Sequence, residues 1–277
     1  MNEANWEEIY QISKKWVNEA GDYIKETFNT SISVEYKSNP SDLVTDIDRH
    51  VEQLFIEKIH TAYPEHRIVG EEGFGDKVKD TSGIIWFVDP IDGTTNFVHQ
   101  QSNFAISIGI YEEGIGKVAI ILDVARGEMF HCLKGQGAFM NDIPLKNLSD
   151  VELHESVLAI NATWLTENKR VDSRMLAPLV KELRGTRSLG SAAIEMAYIA
   201  AGRLDGYISL RLSPWDFAAG AILVEEVGGK CTTLDGRELN MLKQNTVFAG
   251  KSNVHQMIHS NFIKKGLENN YFLHSPS

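Results

Sequence analysis

The sequence predicts a mixed α and β chain with two sheet-containing halves. Three observations lead there. An opening stretch alternates amphipathic helical spacing with short apolar runs, a block of apolar runs punctuated by glycine follows, and beyond Pro144 strands and helices alternate. At 277 residues and 43% hydrophobic, the chain can bury a substantial core, and its length suits one large domain or two fused subdomains. The shift in pattern divides it into an α+β half, residues 1–142, and an α/β half, residues 143–277, expected to pack as one compact unit.

Trp6, Ile9, Ile12, Ser13, Trp16, Val17, Ala20 and Ile24 follow helical spacing, so roughly the first 28 residues read as an amphipathic helix covering a sheet, weakened locally at Gly21. A strand candidate at 31–37 is followed by the polar, turn-like Ser38-Asn39-Pro40-Ser41. A second helix presents Ile47, Val51, Leu54, Phe55 and Ile59 on one face, with Pro64 just past its end and Thr45 and Asp48 in its first turn. Residues 68–70 and 84–88 have strand length, and the second run is apolar enough for a central strand buried on both faces. Both runs end in acid. Residues 104–111, 117–122 and 128–133, separated by Gly114, Gly116 and Gly127, read as an antiparallel meander.

In the second half, strands are expected at 157–161, near Arg187, at 205–210 and at 246–249. Helices are expected at 174–183, 192–201 and 253–265, and another opens at Ser213-Pro214-Trp215-Asp216 and ends at Gly228-Gly229. The sequence holds no internal repeat and no low-complexity segment.

The formal net charge of -11 argues against a nucleic-acid partner, because phosphate backbones are held mainly by Lys and Arg. An acidic protein acting on anionic esters needs local positive charge, which bound divalent cations supply. Cys132 and Cys231, far apart and outside any Cys-x-x-Cys pair, read as buried apolar residues of a reducing compartment. The acidic start of the chain does not have the pattern of a secretory signal, and no apolar stretch approaches the ~18 residues of a membrane span. The expectation is a cytoplasmic protein with no membrane partner.

Chemistry concentrates in Asp89-Pro90-Ile91-Asp92-Gly93-Thr94-Thr95-Asn96, which follows the buried strand. Asp89 and Asp92 flank a turn fixed by proline, so two carboxylates and the Ile91 carbonyl can converge as the oxygen ligands a hard cation prefers. Gly93 permits close backbone approach, and a short helix starting at Thr94 would turn free N–H groups towards a phosphate. An Asp-Gly turn can equally just cap a strand. Gly70-Glu71-Glu72-Gly73, however, adds two acids at the neighbouring strand end, a costly crowding without a cation. Asp216 has the spacing of a capping box with Ser213, and Asp48 has the same spacing with Thr45. Capping alone accounts for either acid, although a helix N-terminus also keeps a carboxylate ionised and available to a metal.

The sequence resembles the inositol monophosphatase family of magnesium-dependent, lithium-sensitive sugar phosphatases. The resemblance is carried by Gly70-Glu71-Glu72, by Asp89-Pro90-Ile91-Asp92-Gly93-Thr94-Thr95-Asn96, and by Trp215-Asp216 with Ala218-Ala219-Gly220 and Gly228-Gly229. It extends over nearly the whole chain, including 37–48 and Gly190-Ser191-Ala192-Ala193. It implies the layered α/β/α/β/α architecture, two or three Mg2+ ions and a homodimer. One magnesium would lie on Glu71, Asp89 and the Ile91 carbonyl and a second on Asp89, Asp92 and Asp216, while Glu71 would also face a third, looser ion. Thr94 bonded to Asp48 would orient and deprotonate the attacking water, the amides of Gly93 and Thr94 would cradle the phosphate, and Gly190, Ser191 and Ala192 would line the substrate side. Bound cations that acidify water and stabilise entering and leaving oxygens suit such a set, with no cysteine or histidine nucleophile. His99 reads as structural.

Relatives dedicated to inositol phosphates commonly carry Glu seven residues before the aspartate that matches Asp216, where this chain has Ser209, and Arg211 lies two residues on. The expected activity is hydrolysis of inositol monophosphate by metal-activated water, with the 2′-phosphate of NADP and fructose 1,6-bisphosphate as alternative substrates. A reading from another class is a regulatory binding protein that keeps the fold.

Overall fold

The computed structural model describes residues 4–28, 34–36 and 43–273. Helix α1 (Trp6–Thr27) starts at Asn5, whose side chain accepts the Glu8 amide. Of the first strand candidate, β1 (Val34–Tyr36) is described and pairs antiparallel with β2 (Leu43–Thr45); the rest of that candidate and the 38–41 turn lie outside the described residues. Helix α2 (Asp46–Ala62) follows directly, opened by Thr45.

A seven-stranded sheet runs in chain order: β3 (Arg67–Gly70), β4 (Ile84–Asp92), β5 (Ala105–Glu112), β6 (Ile115–Asp123), β7 (Glu128–Leu133), β8 (Ala138–Met140) and β9 (Ile143–Pro144). The first pair is parallel and the rest antiparallel, so the expected meander is present and extends by two strands. Those two, of three and two residues, are too short to carry a periodic signal. Between β4 and β5 lies the short helix α3 (Thr94–Gln100).

Beyond β9 come β10 (Val157–Ile160), α4 (Ser173–Leu176), β11 (Gly185–Arg187), α5 (Ala192–Ala200), β12 (Gly206–Leu212), α6 (Pro214–Glu226), β13 (Gly229–Thr232) and β14 (Asn245–Lys251). The chain ends in α7 (Ser252–Ile258), a π-helical turn (His259–Ile263) and α8 (Lys264–Glu268). These strands form a five-stranded sheet of order β11-β10-β12-β14-β13. The single helix expected at 174–183 is instead one turn of α4 followed by a 3-10 segment, Ala177–Glu182, because Pro178 cannot supply the N–H a continuing α-helix needs. Helix 253–265 is likewise interrupted by the π turn.

Strand alternation sorts the core into three layers. Trp86, Val88, Ile106, Ile108 and Ile120 pack under α1 and α2. Ile85, Phe87, Ala119 and Ile121 face the other way, onto α5 and α6, which also cover Ala159, Val247 and Ala249 of the five-stranded sheet. Leu158, Ile160, Ile208 and Phe248 face α4 and α7. The order is therefore α/β/α/β/α, the architecture that the family resemblance implies. Gly109 lets α6 lie almost on β5: a β-carbon there would stand 2.8 Å from the Ala219 nitrogen. The Tyr111 hydroxyl donates to the Ala218 carbonyl at 2.9 Å and fixes that crossing.

Candidate active site

Asp89 follows Ile85 and Phe87 in the alternation of β4, which directs it to the face covered by α6. The strand does not stop before the acids. Asp89 pairs with Ser107 and Asp92 with Ala105, with a register shift between them, so Pro90-Ile91 is an irregularity inside the strand rather than a loop after it. Asp89 is 1% exposed, and its Oδ1 accepts the Ile91 amide at 3.0 Å. Gly93 has φ of 94°, and a β-carbon there would stand 3.1 Å from the Asn103 carbonyl and 3.2 Å from that of Gly190. That conformation and that closeness leave room for glycine only. Thr94 then opens α3, as the sequence suggested.

The Thr94 hydroxyl stands 3.1 Å from Asp48 Oδ1 and 3.1 Å from the Ile91 carbonyl, two acceptors for one proton. Asp48 closes a capping box at the start of α2: its Oδ2 accepts the Thr45 amide at 2.9 Å and the Thr45 hydroxyl. Burial lifts this carboxyl to about 6, against the pull of its Thr45 and Thr94 hydrogen bonds, and the charge of Glu71 adds to the lift.

Asp216 closes the equivalent box at the start of α6, its Oδ2 accepting the Ser213 amide at 2.8 Å. The close packing of α6 on β5 carries it to β4: the Trp215 carbonyl lies 3.5 Å from the hydroxyl of Ser107, the residue paired with Asp89. Burial raises Asp216 well above the ordinary carboxylate range, and Asp92 and Glu71 push it further, with Arg211 pulling the other way. Asp89 is raised well above its usual value by burial and by Glu71, Asp92 and Asp216, and it shares a hydrogen bond with Glu71. Asp92, lifted to about 7 by burial, accepts the Ser191 hydroxyl and the Ala193 amide, both at 2.6 Å. Gly190, Ser191 and Ala192 thus stand at the start of α5, beside Asp92.

The structure brings Asp48, Glu71, Asp89, Ile91, Asp92, Gly93, Thr94, Ser191 and Asp216 together. Two buried glutamates that support them were not singled out from the sequence. Glu195, 4% exposed, accepts the Leu189 amide at 2.7 Å, while Asn96 donates to the Leu189 carbonyl at 2.7 Å and the Asn103 carbonyl at 2.8 Å. Glu52, on α2, accepts two amides of the loop after Glu71. Glu195 carried a signal, a charged residue among the apolar Ala193, Ile194 and Met196, whereas Glu52, between Val51 and Gln53 in a polar stretch, carried none.

Among the described residues, no three His, Cys, Asp or Glu side chains stand ready-made around a single ion position. The donors nonetheless fit a hard divalent cation, being oxygens alone, from carboxylates and the Ile91 carbonyl. Asp89, Asp92 and Asp216, raised first by burial and then by the charges around them, Glu71 included, are a cluster that a cation would relieve.

Residues 5–266 match the model of the inositol monophosphatase family. An inositol-1-monophosphatase of Bacillus subtilis (strain 168) is 52% identical over 260 residues, which are 94% of this chain and 98% of that protein. Nus factor SuhB of Escherichia coli (strain K12) is 35% identical over 241 residues, 86% of this chain and 90% of its own length. Among solved structures, the staphylococcal protein SaIMPase-II with inositol monophosphate bound superimposes with a TM-score of 0.85 at 35% identity, covering 95% of this chain and 96% of that one. With its motifs, its layered fold and its matches all spanning nearly the full length, the chain belongs to the inositol monophosphatase family.

Proposed function

We propose that this chain is a magnesium-dependent phosphatase that hydrolyses inositol monophosphate, and related small phosphate monoesters, by direct attack of water. The observation that carries the reading is the Asp48–Thr94–Ile91 hydrogen-bonding chain standing beside the clustered acids Glu71, Asp89, Asp92 and Asp216. The name of the Bacillus subtilis relative supports the substrate.

Glu71, Asp89 and the Ile91 carbonyl would hold one Mg2+, Asp89, Asp92 and Asp216 a second, and Glu71 would border a third. When bound, such cations neutralise the acids, make water a better nucleophile at neutral pH and stabilise charge on the entering and leaving oxygens. Thr94 orients the attacking water, and its hydroxyl passes a proton towards Asp48, whose other oxygen Thr45 holds still. The amides of Gly93 and Thr94 face the phosphate. Ser191 and the Ala193 amide keep Asp92 in one rotamer as charge develops. A cytoplasmic setting suits the free, buried thiols of Cys132 and Cys231, and the homodimer and lithium sensitivity rest on family likeness.

A second reading keeps the chemistry and changes the substrate. Arg211, two residues after Ser209, is close enough to Asp216 to lower its proton affinity, which favours a second anionic group such as that of NADP or fructose 1,6-bisphosphate. The regulatory reading finds an echo in the name of the Escherichia coli relative, but the intact acid set favours turnover.

Turnover of purified protein on inositol 1-phosphate, NADP and fructose 1,6-bisphosphate, with Mg2+ and then with EDTA, separates these readings. The expected result is fastest, metal-dependent release of phosphate from inositol 1-phosphate. Turnover that survives EDTA would refute the mechanism, activity confined to NADP would refute the substrate, and none at all would favour the regulatory role.

A further inference from the structure

We infer that Glu52 is a positioning residue that fixes Glu71 against Asp89 and so sets how tightly the site holds a divalent cation; this rests on the metal-dependent function proposed above. Glu52 is 0% exposed, one helical turn after Asp48 on the same face of α2. One carboxylate oxygen accepts the Glu72 amide at 2.6 Å and the other accepts the Phe74 amide at 3.0 Å. On the near side of Glu71 the contact is steric: a β-carbon on Gly70 would stand 2.5 Å from the Glu52 carboxyl carbon. The backbone before and after Glu71 therefore bears on one carboxylate.

A carboxylate at zero exposure is an expensive way to fill space, and it persists only where its oxygens are bonded. Here they are bonded to the one loop that delivers Glu71 to its hydrogen bond with Asp89. A single helix thus governs two parts of the site: Asp48 bonds to Thr94, and Glu52, one turn later, anchors the loop of Glu71. Groups that hold ligand-bearing segments typically change metal affinity by about 10- to 100-fold when replaced.

The test is Glu52→Gln, which keeps the volume but turns an NH2 group towards one of two backbone N–H donors. Calorimetric titration with Mg2+ in the absence of substrate should show affinity weakened by roughly 10-fold or more. The Mg2+ concentration for half-maximal turnover should rise in parallel, with KM for inositol 1-phosphate at saturating Mg2+ little changed. A merely structural role would lower the melting temperature and leave the Mg2+ affinity of the folded fraction alone, and that result overturns the inference. If Glu52→Gln does not fold, the same titration on Gly70→Ala decides, because its added methyl displaces the Glu52 carboxylate: weakened Mg2+ binding supports the role and unchanged binding overturns it. Wild-type protein that binds no Mg2+ overturns the proposed function itself, whereas equal binding by wild type and variant overturns only the part given to Glu52.

Discussion

The two helix starts that bring acids to this site use one local device and reach different electrostatic results. At the start of α2, Asp48 closes a capping box with Thr45; at the start of α6, Asp216 closes one with Ser213. Asp48 receives the Thr45 amide, the Thr45 hydroxyl and the Thr94 hydroxyl, and burial lifts it only to about 6. Asp216 accepts the Ser213 amide, and burial, with Asp92 and Glu71 nearby, drives it well above the ordinary range. A carboxylate surrounded by donors is prepared to handle a proton; one surrounded by acids is prepared for a cation. The capping box fixes where each carboxylate points, and its neighbours decide what it is for.

The largest effect that would break this comparison is on the cation side. Asp216→Asn keeps an oxygen for the Ser213 amide and removes only the charge, so the cap and the fold should survive. Turnover on inositol 1-phosphate at a fixed Mg2+ level should nonetheless fall by roughly 1,000-fold or more, as expected for losing part of a metal site. Raising Mg2+ should recover part of it. Full activity in this variant would show that Asp216 is a cap and nothing else.

Thr94→Ala sharpens the other side. Losing the hydroxyl between Asp48 and Ile91 should lower kcat by at least ~100-fold, the scale of general-base assistance, with KM changed modestly. Unlike Asp216→Asn, it should leave the Mg2+ dependence of turnover where it was. A shifted Mg2+ dependence would mean that Thr94 serves the cations after all, and the two helix starts would no longer divide the work.

The acids themselves were legible in the sequence because their motifs are contiguous, and both capping boxes because their three-residue spacing is local. The meander was legible through its glycines, and the α5 and α6 helices through cap residues and an apolar run. What local pattern does not carry is convergence. Asp216 meets Asp89 only because Gly109 lets α6 settle on β5 and Tyr111 ties the two together, contacts across more than 100 residues of chain. Glu52 escaped notice for the same reason, an unremarkable helical glutamate until the amides it accepts from another segment are in place, and the charge of Glu195 in its apolar run shows that it is buried but not what it holds. The continuation of β4 through Asp92 was hidden by Pro90, which reads as a terminator in sequence and is accommodated by the register shift in the sheet.

The smallest effect, a shift in melting temperature, also tests the comparison without any substrate. Burial lifts Asp48 to about 6 and Asp92 to about 7, and raises Asp89 and Asp216 well above the ordinary carboxylate range, while in the unfolded chain such groups titrate near ~4. Folded protein without metal therefore holds more protons than unfolded protein from about pH 4 through about pH 7, and by linkage its stability declines as pH rises across that window. Bound Mg2+ replaces those protons, so its stabilisation should grow with pH. At about 100 times its Kd, Mg2+ should raise the melting temperature by roughly 5–10 °C at pH 8. The same Mg2+ concentration should give less than half that rise at pH 5, where protons already occupy the cluster. Asp216→Asn should flatten the metal-free decline because one of the mutually repelling charges is gone, and Thr94→Ala should leave it nearly unaltered. Equal Mg2+ stabilisation at both pH values would mean that the crowded carboxylates are not where the cation binds.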